Sequence, residues 1–190
     1  GNIISDGVWG NIVQVAGKAV NGYAKVQLPN GKIAYVPQGD VVSFDKWLST
    51  RKATPENIIK TGKQFLGFPY LWAGTSIKGL DCSGFVKTSH FLNGVILRRD
   101  ASQQAKVGQE IDITNGIENL QMGDILFFGR KATETRAARV SHVGMYIGDG
   151  LFIHSATFVK INSLVPGTDN FYDGTMVCAR RITGMEDTVF

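Results

Sequence analysis

The chain has 190 residues, 43% of them apolar and 19% charged, with 23 glycines, two cysteines and a formal net charge of +4. That composition excludes an intrinsically disordered chain, and no run reaches the roughly 18 consecutive apolar residues that a membrane-spanning helix needs. Cys82 and Cys178 lie too far apart for a disulfide framework, although one bridge stays open, and the positive charge suits nucleic acid, anionic lipid or an acidic cell wall without choosing among them.

Up to about Phe44 the chain reads as short strands broken by turns. Val13–Val15, Tyr23–Leu28 and Ile33–Val36 carry β-branched and aromatic residues, and Asn21-Gly22, Pro29-Asn30-Gly31 and Pro37-Gln38-Gly39 punctuate them. Tyr23, Lys25 and Gln27 alternate with Ala24, Val26 and Leu28, as a small barrel requires. Asn30-Gly31 suits a tight hairpin. From Lys46 to Glu56 the apolar periodicity stops and a linker is expected. Residues 1–10 lack a basic-then-apolar leader, which a mature domain would already have lost.

Thr54-Pro55 resembles an N-cap followed by proline at the first helical position, which predicts a helix of about three turns ending before Gly67-Phe68-Pro69. A second helix follows the glycine-containing loop of residues 74–81, with Phe85, Val86, Ser89 and Leu92 on one stripe and Asn93-Gly94 as its stop. The C-terminal half then predicts strands over 124–128, 143–147, 151–154 and 175–179. Helices followed by an antiparallel sheet make an α+β domain.

Cys82 falls where the loop enters the second helix, with Asp81 suited to the N-cap. A thiol there faces unpaired backbone N–H groups and the positive end of the helix dipole, which favour thiolate and can receive an oxyanion. The competing reading is a small buried hydrophobe. A nucleophilic thiolate needs a base, and the candidates are His90, His142 and His154. His90 points away from the Cys82 face, which suits a structural or exposed residue. If Gly148-Asp149-Gly150 is the loop of a hairpin, Gly144 pairs with His154 and His142 with Ala156. The two histidines then share a face as diagonal neighbours about 7–8 Å apart, whereas a two-residue loop sends them to opposite faces. Their chemistry as a set is Cys-His catalysis with a third orienting group. A Cys-His-His metal site and two packing histidines are the alternatives, the metal site lacking close ligand pairs.

Six segments together resemble the NlpC/P60 cysteine peptidase family: Pro69–Ser76, Gly79–Val86, Arg99–Gln104, Gly123–Phe128, Ser141–Gly148 and Phe152–Ala156, in the family's order from about Thr54 to Ile182. Residues 1–46, on Trp9, Gly22–Val26, Asn30-Gly31 and Tyr35-Val36, resemble a bacterial SH3 domain, short at its N-terminus, so that a preceding domain is expected to be missing. The resemblance implies a papain-like α+β catalytic domain over 54–190, helices packed on an antiparallel sheet, preceded by a small SH3-like β-barrel. It implies hydrolysis of murein peptides between γ-D-glutamate and a diamino acid, requiring a free N-terminal L-Ala. The alternative is a peptidoglycan-binding module with altered amidase or acyltransferase activity at the same site.

Carried over by position, Cys82 is the nucleophile, His142 the base, His154 the polar third residue and Tyr70 the tyrosine near the oxyanion. Asp81, Ser83 and Arg99, with Ser102 as a looser match, fall at substrate-binding positions. Relatives often have glycine where this chain has Ala73, and some have serine at Ala101. No cofactor or metal is implied. The expected partners are peptidoglycan-derived peptides, with no nucleic acid, no stable membrane insertion and a monomeric chain, working in the cell envelope, periplasmic or secreted. The basic stretch 129–140, with Arg130, Lys131, Arg136 and Arg139, either borders the cleft or is a solvated loop.

Overall fold

A computed structural model describes residues 2–182, so the last residues of the expected catalytic domain, 183–190, lie outside the described residues. The chain divides into two compact units, Gly1–Arg51 and Lys52–Phe190. The first holds an antiparallel meander of β1 (Gln14–Val15), β2 (Tyr23–Gln27) and β3 (Ile33–Pro37). The left-handed pair of a tight hairpin falls at Asn21-Gly22 (φ 51° and 81°), whereas in Pro29-Asn30-Gly31 only Gly31 is left-handed. Among the described residues of this unit only Val26 is buried. The expected linker is partly helical: α1 spans Phe44–Ser49, where Phe44 stacks on Trp47 and the Ser49 and Thr50 hydroxyls bond back to the carbonyls of Lys46 and Trp47. Those contacts are local and leave no apolar period to read.

The second unit starts with α2 (Pro55–Gln64), capped as expected by Thr54, whose hydroxyl accepts from the Asn57 amide. Ile58, Ile59 and Gly62 are buried on one side of it. A two-stranded hairpin, β4 (Thr75–Ser76) and β5 (Gly79–Leu80), leads into α3 (Cys82–Phe91), and a short α4 covers Ala101–Gln104. The remaining strands are β6 (Gln109–Ile111), β7 (Ile125–Arg130), β8 (Arg139–Gly148), β9 (Leu151–Ala156), β10 (Phe158–Ser163) and β11 (Met176–Arg181). They form one antiparallel sheet in the order β10-β9-β8-β7-β11-β6.

The central strands are buried on both faces, so they read as continuous apolar runs. Ile125, Phe127, Val143, Met145 and Ile153 pack with Ile58, Phe65, Phe85 and Val86. Leu126, Phe128, Tyr146 and Phe152 join Ile111 and Leu120 on the other side. An α+β architecture is therefore what the sequence predicts, with β6 and β10 as strands it does not announce.

The hairpin between β8 and β9 turns on two residues, Asp149 and Gly150, both left-handed (φ 53° and 71°), with Gly148 paired to Leu151. Such a loop by itself would separate the histidines. A register shift between Tyr146 and Gly148 inserts one residue and restores the pairing of Gly144 with His154. His142 and His154 thus share a face, as expected, by a bulge rather than a longer loop.

Candidate active site

The loop before α3 is pinned on both sides. The Gly67 and Tyr70 amides donate to the carbonyls of Val159 and Thr157, zipping residues 67–70 onto the edge strand β10, and Pro69 bridges Phe158. Farther along, the Asp81 amide donates to the Gly74 carbonyl and the Ser155 hydroxyl to the Leu80 carbonyl at 2.6 Å. A Cβ on Gly84 would lie 2.0 Å from the Gly74 oxygen, so only glycine lets the first turn of α3 sit this close to the loop. This packing fixes the backbone at Tyr70 and at the entry to Cys82.

Asp81 caps α3 as expected, accepting from the Gly84 amide at 2.7 Å. It does more than cap. Oδ1 also accepts from the Ser83 hydroxyl (3.2 Å) and Arg99 Nη1 (3.1 Å), and Oδ2 from Arg99 Nη2 (2.5 Å), while Arg99 donates to Ser83 as well (2.9 Å). The predicted substrate-binding residues Asp81, Ser83 and Arg99 therefore form one bidentate cluster beside the nucleophile position. Burial opposes the charge on Asp81, but Arg99 and the Gly84 amide outweigh it and hold its pKa below the usual carboxylate range. Ser102 is exposed on α4, apart from these hydrogen bonds.

The thiol behaves differently from the sequence expectation. Burial, then the Asp81 carboxylate, push the Cys82 pKa up, and the backbone N–H groups of Ser83, Val143 and Cys82 itself only partly offset them. The Val143 contact seats the thiol beside the residue that follows His142. Tyr70 is half-buried, and its hydroxyl pKa is raised by burial and then by the neighbouring Cys82 and Asp81 charges.

His142 Nε2 and His154 Nδ1 lie 2.6 Å apart with their rings edge to face. Burial is the main reason that both imidazoles resist protonation, His142 down to about 3 and His154 to about 4, with Lys160 disfavouring the charge on each. Burial therefore disfavours both the thiolate and the imidazolium that a Cys82–His142 ion pair would need. His90 lies elsewhere: it is fully buried on α3, Nδ1 donating to the Val86 carbonyl at 2.8 Å and Nε2 without a hydrogen bond.

Three contributors escape the sequence reading. Tyr172 lies against both histidines, at ring-centroid distances of 5.7 and 5.3 Å, and against Phe128 and Phe152. Asn162 Oδ1 is 2.8 Å from His154 Nε2. Buried Gln104 donates to the carbonyls of Ser83 and Arg98, tying α3 to the segment that carries Arg99. Gln104 was visible in a recognised segment, but nothing local marked Asn162 or Tyr172. Among the described residues no three His, Cys, Asp or Glu side chains converge as a metal site. Cys178 on β11 is half-buried and unpaired with Cys82.

A cysteine starting a helix, with a histidine pair on an antiparallel sheet, defines the papain-like class of α+β folds. The chain belongs to the NlpC/P60 family, whose model matches residues 67–181. It is 38% identical over 161 residues to a gamma-D-glutamyl-L-lysine dipeptidyl-peptidase of Bacillus subtilis (strain 168), covering 85% of this chain and 50% of that one. A protein of the same name from Bacillus cereus (strain ATCC 10987 / NRS 248) is 38% identical over 157 residues, covering 83% and 45%. The crystal structure of an NlpC/P60 family protein from Bacillus cereus ATCC 10987 superposes with a TM-score of 0.63 at 36% identity, over 86% of this chain and 52% of that one. The chain spans about half the length of the curated relatives it matches.

Proposed function

We propose that this chain is a cysteine endopeptidase that cleaves murein peptides between γ-D-glutamate and a diamino acid, releasing L-Ala-γ-D-Glu. The observation that carries this reading is the His142–His154 pair held 2.6 Å apart beside the half-buried Cys82 at the start of α3. The names of the two Bacillus relatives support the bond and favour L-lysine as the diamino acid.

In this reading the Cys82 sulfur attacks the γ-carbonyl carbon while its proton passes to His142. The C–N bond then breaks as His142 returns that proton to the departing amine, leaving a thioester. Water, deprotonated by His142, attacks the thioester; the S–C bond breaks, the dipeptide leaves and the thiol is restored. His154 holds the His142 ring, and the backbone amides at the start of α3 with the Tyr70 hydroxyl face the oxyanion. Asp81, Ser83 and Arg99 bind the L-Ala end. Oδ1 of Asp81 is saturated, so the peptide's amine would meet the remaining lone pair of Oδ2, and the neighbouring Arg99 charge tempers that attraction. Ser102, exposed on α4, is the looser candidate for that end. The N-terminal meander is taken as an SH3-like wall-binding unit, and the site of action as the cell envelope.

Incubation with L-Ala-γ-D-Glu-L-Lys tests the proposal by chromatography of the products. The wild type should release L-Ala-γ-D-Glu, Cys82→Ala should release none above the buffer rate, and an N-acetylated substrate should be cut poorly. Equal turnover by Cys82→Ala ends the proposal.

A further inference from the structure

We propose that Asn162 is a positioning residue that sets the tautomers of both histidines, so that His142 presents a bare Nδ1 to the Cys82 thiol. The argument begins at a backbone carbonyl. The Asn170 oxygen accepts from the Ser163 amide at 3.0 Å and from Asn162 Nδ2 at 2.6 Å. A carbonyl can only accept, so the NH2 end of the Asn162 amide must face it and the oxygen end must face the other way. That oxygen lies 2.8 Å from His154 Nε2 and can itself only accept, so His154 carries its proton on Nε2.

A neutral imidazole has one N–H. His154 Nδ1 is therefore bare, and across the 2.6 Å contact it must accept from His142 Nε2. His142 then holds its proton on Nε2 and leaves its Nδ1 lone pair free. The relay thus runs from the Asn170 carbonyl through Asn162 and His154 to the base, with each step dictated by what its partner can donate.

The relay fails if His154 becomes an imidazolium, because it would then donate from Nδ1 and push the His142 proton onto the wrong nitrogen. Burial keeps His154 neutral, and no carboxylate is among the groups that shift its titration. The charged and titratable groups around the pair are Lys160, directly opposite His154 on β10, Tyr172, whose ring lies against both histidines, and Asp173 and Cys82, which act on Tyr172. Lys160 disfavours the imidazolium further.

The inference rests on the reading of Cys82 and His142 as nucleophile and base, but its first readout needs no activity. In protein labelled with 15N-histidine, two-bond 1H–15N correlations at pH 7 distinguish the tautomers. The wild type should show both His142 and His154 protonated on Nε2. Asn162→Leu should show mixed or inverted tautomers, and kcat/KM on L-Ala-γ-D-Glu-L-Lys should fall about 10- to 100-fold, mostly in kcat.

Asn162→Asp gives up the donor to the Asn170 carbonyl but keeps an acceptor for His154 and adds a charge that favours its imidazolium. It should therefore keep the Nε2–H pattern and much of the activity near pH 8, and lose both near pH 6, where the wild type retains them. This variant decides the matter if Asn162→Leu does not fold. Asn162→Leu with both Nε2 protons in place, or Asn162→Asp that follows the leucine variant at every pH, overturns the inference. Tautomers that respond as expected in a wild type that cleaves nothing would instead remove the proposed function.

Discussion

His90 offers a test that depends on burial alone. The imidazole is fully buried, donates once to the Val86 carbonyl, and has no hydrogen bond at Nε2, so desolvation drives its pKa from 6.5 to about 4. The folded protein therefore binds fewer protons than the unfolded chain between those values. Its contribution to stability is complete above pH 6.5, shrinks as the pH falls through that value, and levels off near 4, a total of about 3 kcal/mol. His90→Leu keeps a similar volume and removes the titrating group. The expected result, from urea unfolding followed by far-UV circular dichroism, is that the wild type loses about 2 kcal/mol more than the variant between pH 7 and 4.5. Every other titrating group, including His142 and His154, cancels in that difference. Parallel losses in the two proteins would refute the claim that a neutral buried His90 couples the fold to pH.

Three further substitutions probe the loop that carries the thiol. Gly84→Ala places a methyl 2.0 Å from the Gly74 carbonyl, a backbone atom that cannot rotate away, so it should cost about 3 kcal/mol and lower Tm by roughly 6–12 °C in a thermal melt. Ala73 adopts a left-handed conformation (φ 63°), which an L side chain resists by about 1–2 kcal/mol, so Ala73→Gly should stabilise by about 0.5–1 kcal/mol despite the added chain entropy, measured in urea. Asp81→Asn keeps an acceptor for the Gly84 amide but removes the charge that, after burial, raises the Cys82 pKa. Iodoacetamide should then alkylate Cys82 faster at a given pH, and an unchanged or slower rate would contradict the assigned role of Asp81.

How far the site could be read in advance depended on whether its cause was local. The Thr54 cap, the Asp81 cap and the continuous apolar run of β7 follow from neighbours a few residues apart, and they were legible. The pairing of Gly144 with His154 was legible too, although from a loop drawn one residue too long: the Asp149-Gly150 turn and the extra residue between Tyr146 and Gly148 cancel each other. Asn162 was not legible. Its role depends on the Asn170 carbonyl, held where Ser163 bridges Phe171, and a polar residue alternating along an edge strand looks like ordinary solvated surface. Periodicity put His90 off the Cys82 face but could not choose core or solvent, because that depends on α2 and the sheet packing behind α3.

The thiol shows most directly how a correct placement can carry a wrong consequence. A cysteine at a helix start gains from the backbone amides, and those of Ser83, Val143 and Cys82 do favour its thiolate. The same geometry buries the sulfur and sets it next to the cap, whose carboxylate is needed to hold the Gly84 amide and Arg99. Since burial opposes both a thiolate at Cys82 and an imidazolium at His142, the charge-separated pair is disfavoured at rest. In the proposed mechanism, proton transfer then accompanies attack on the carbonyl instead of preceding it. A base that acts only at that moment has to have its lone pair already aimed at the thiol, so on the proposed reading the hydrogen bonds from Asn162 and His154 serve the tautomer of His142 rather than its charge.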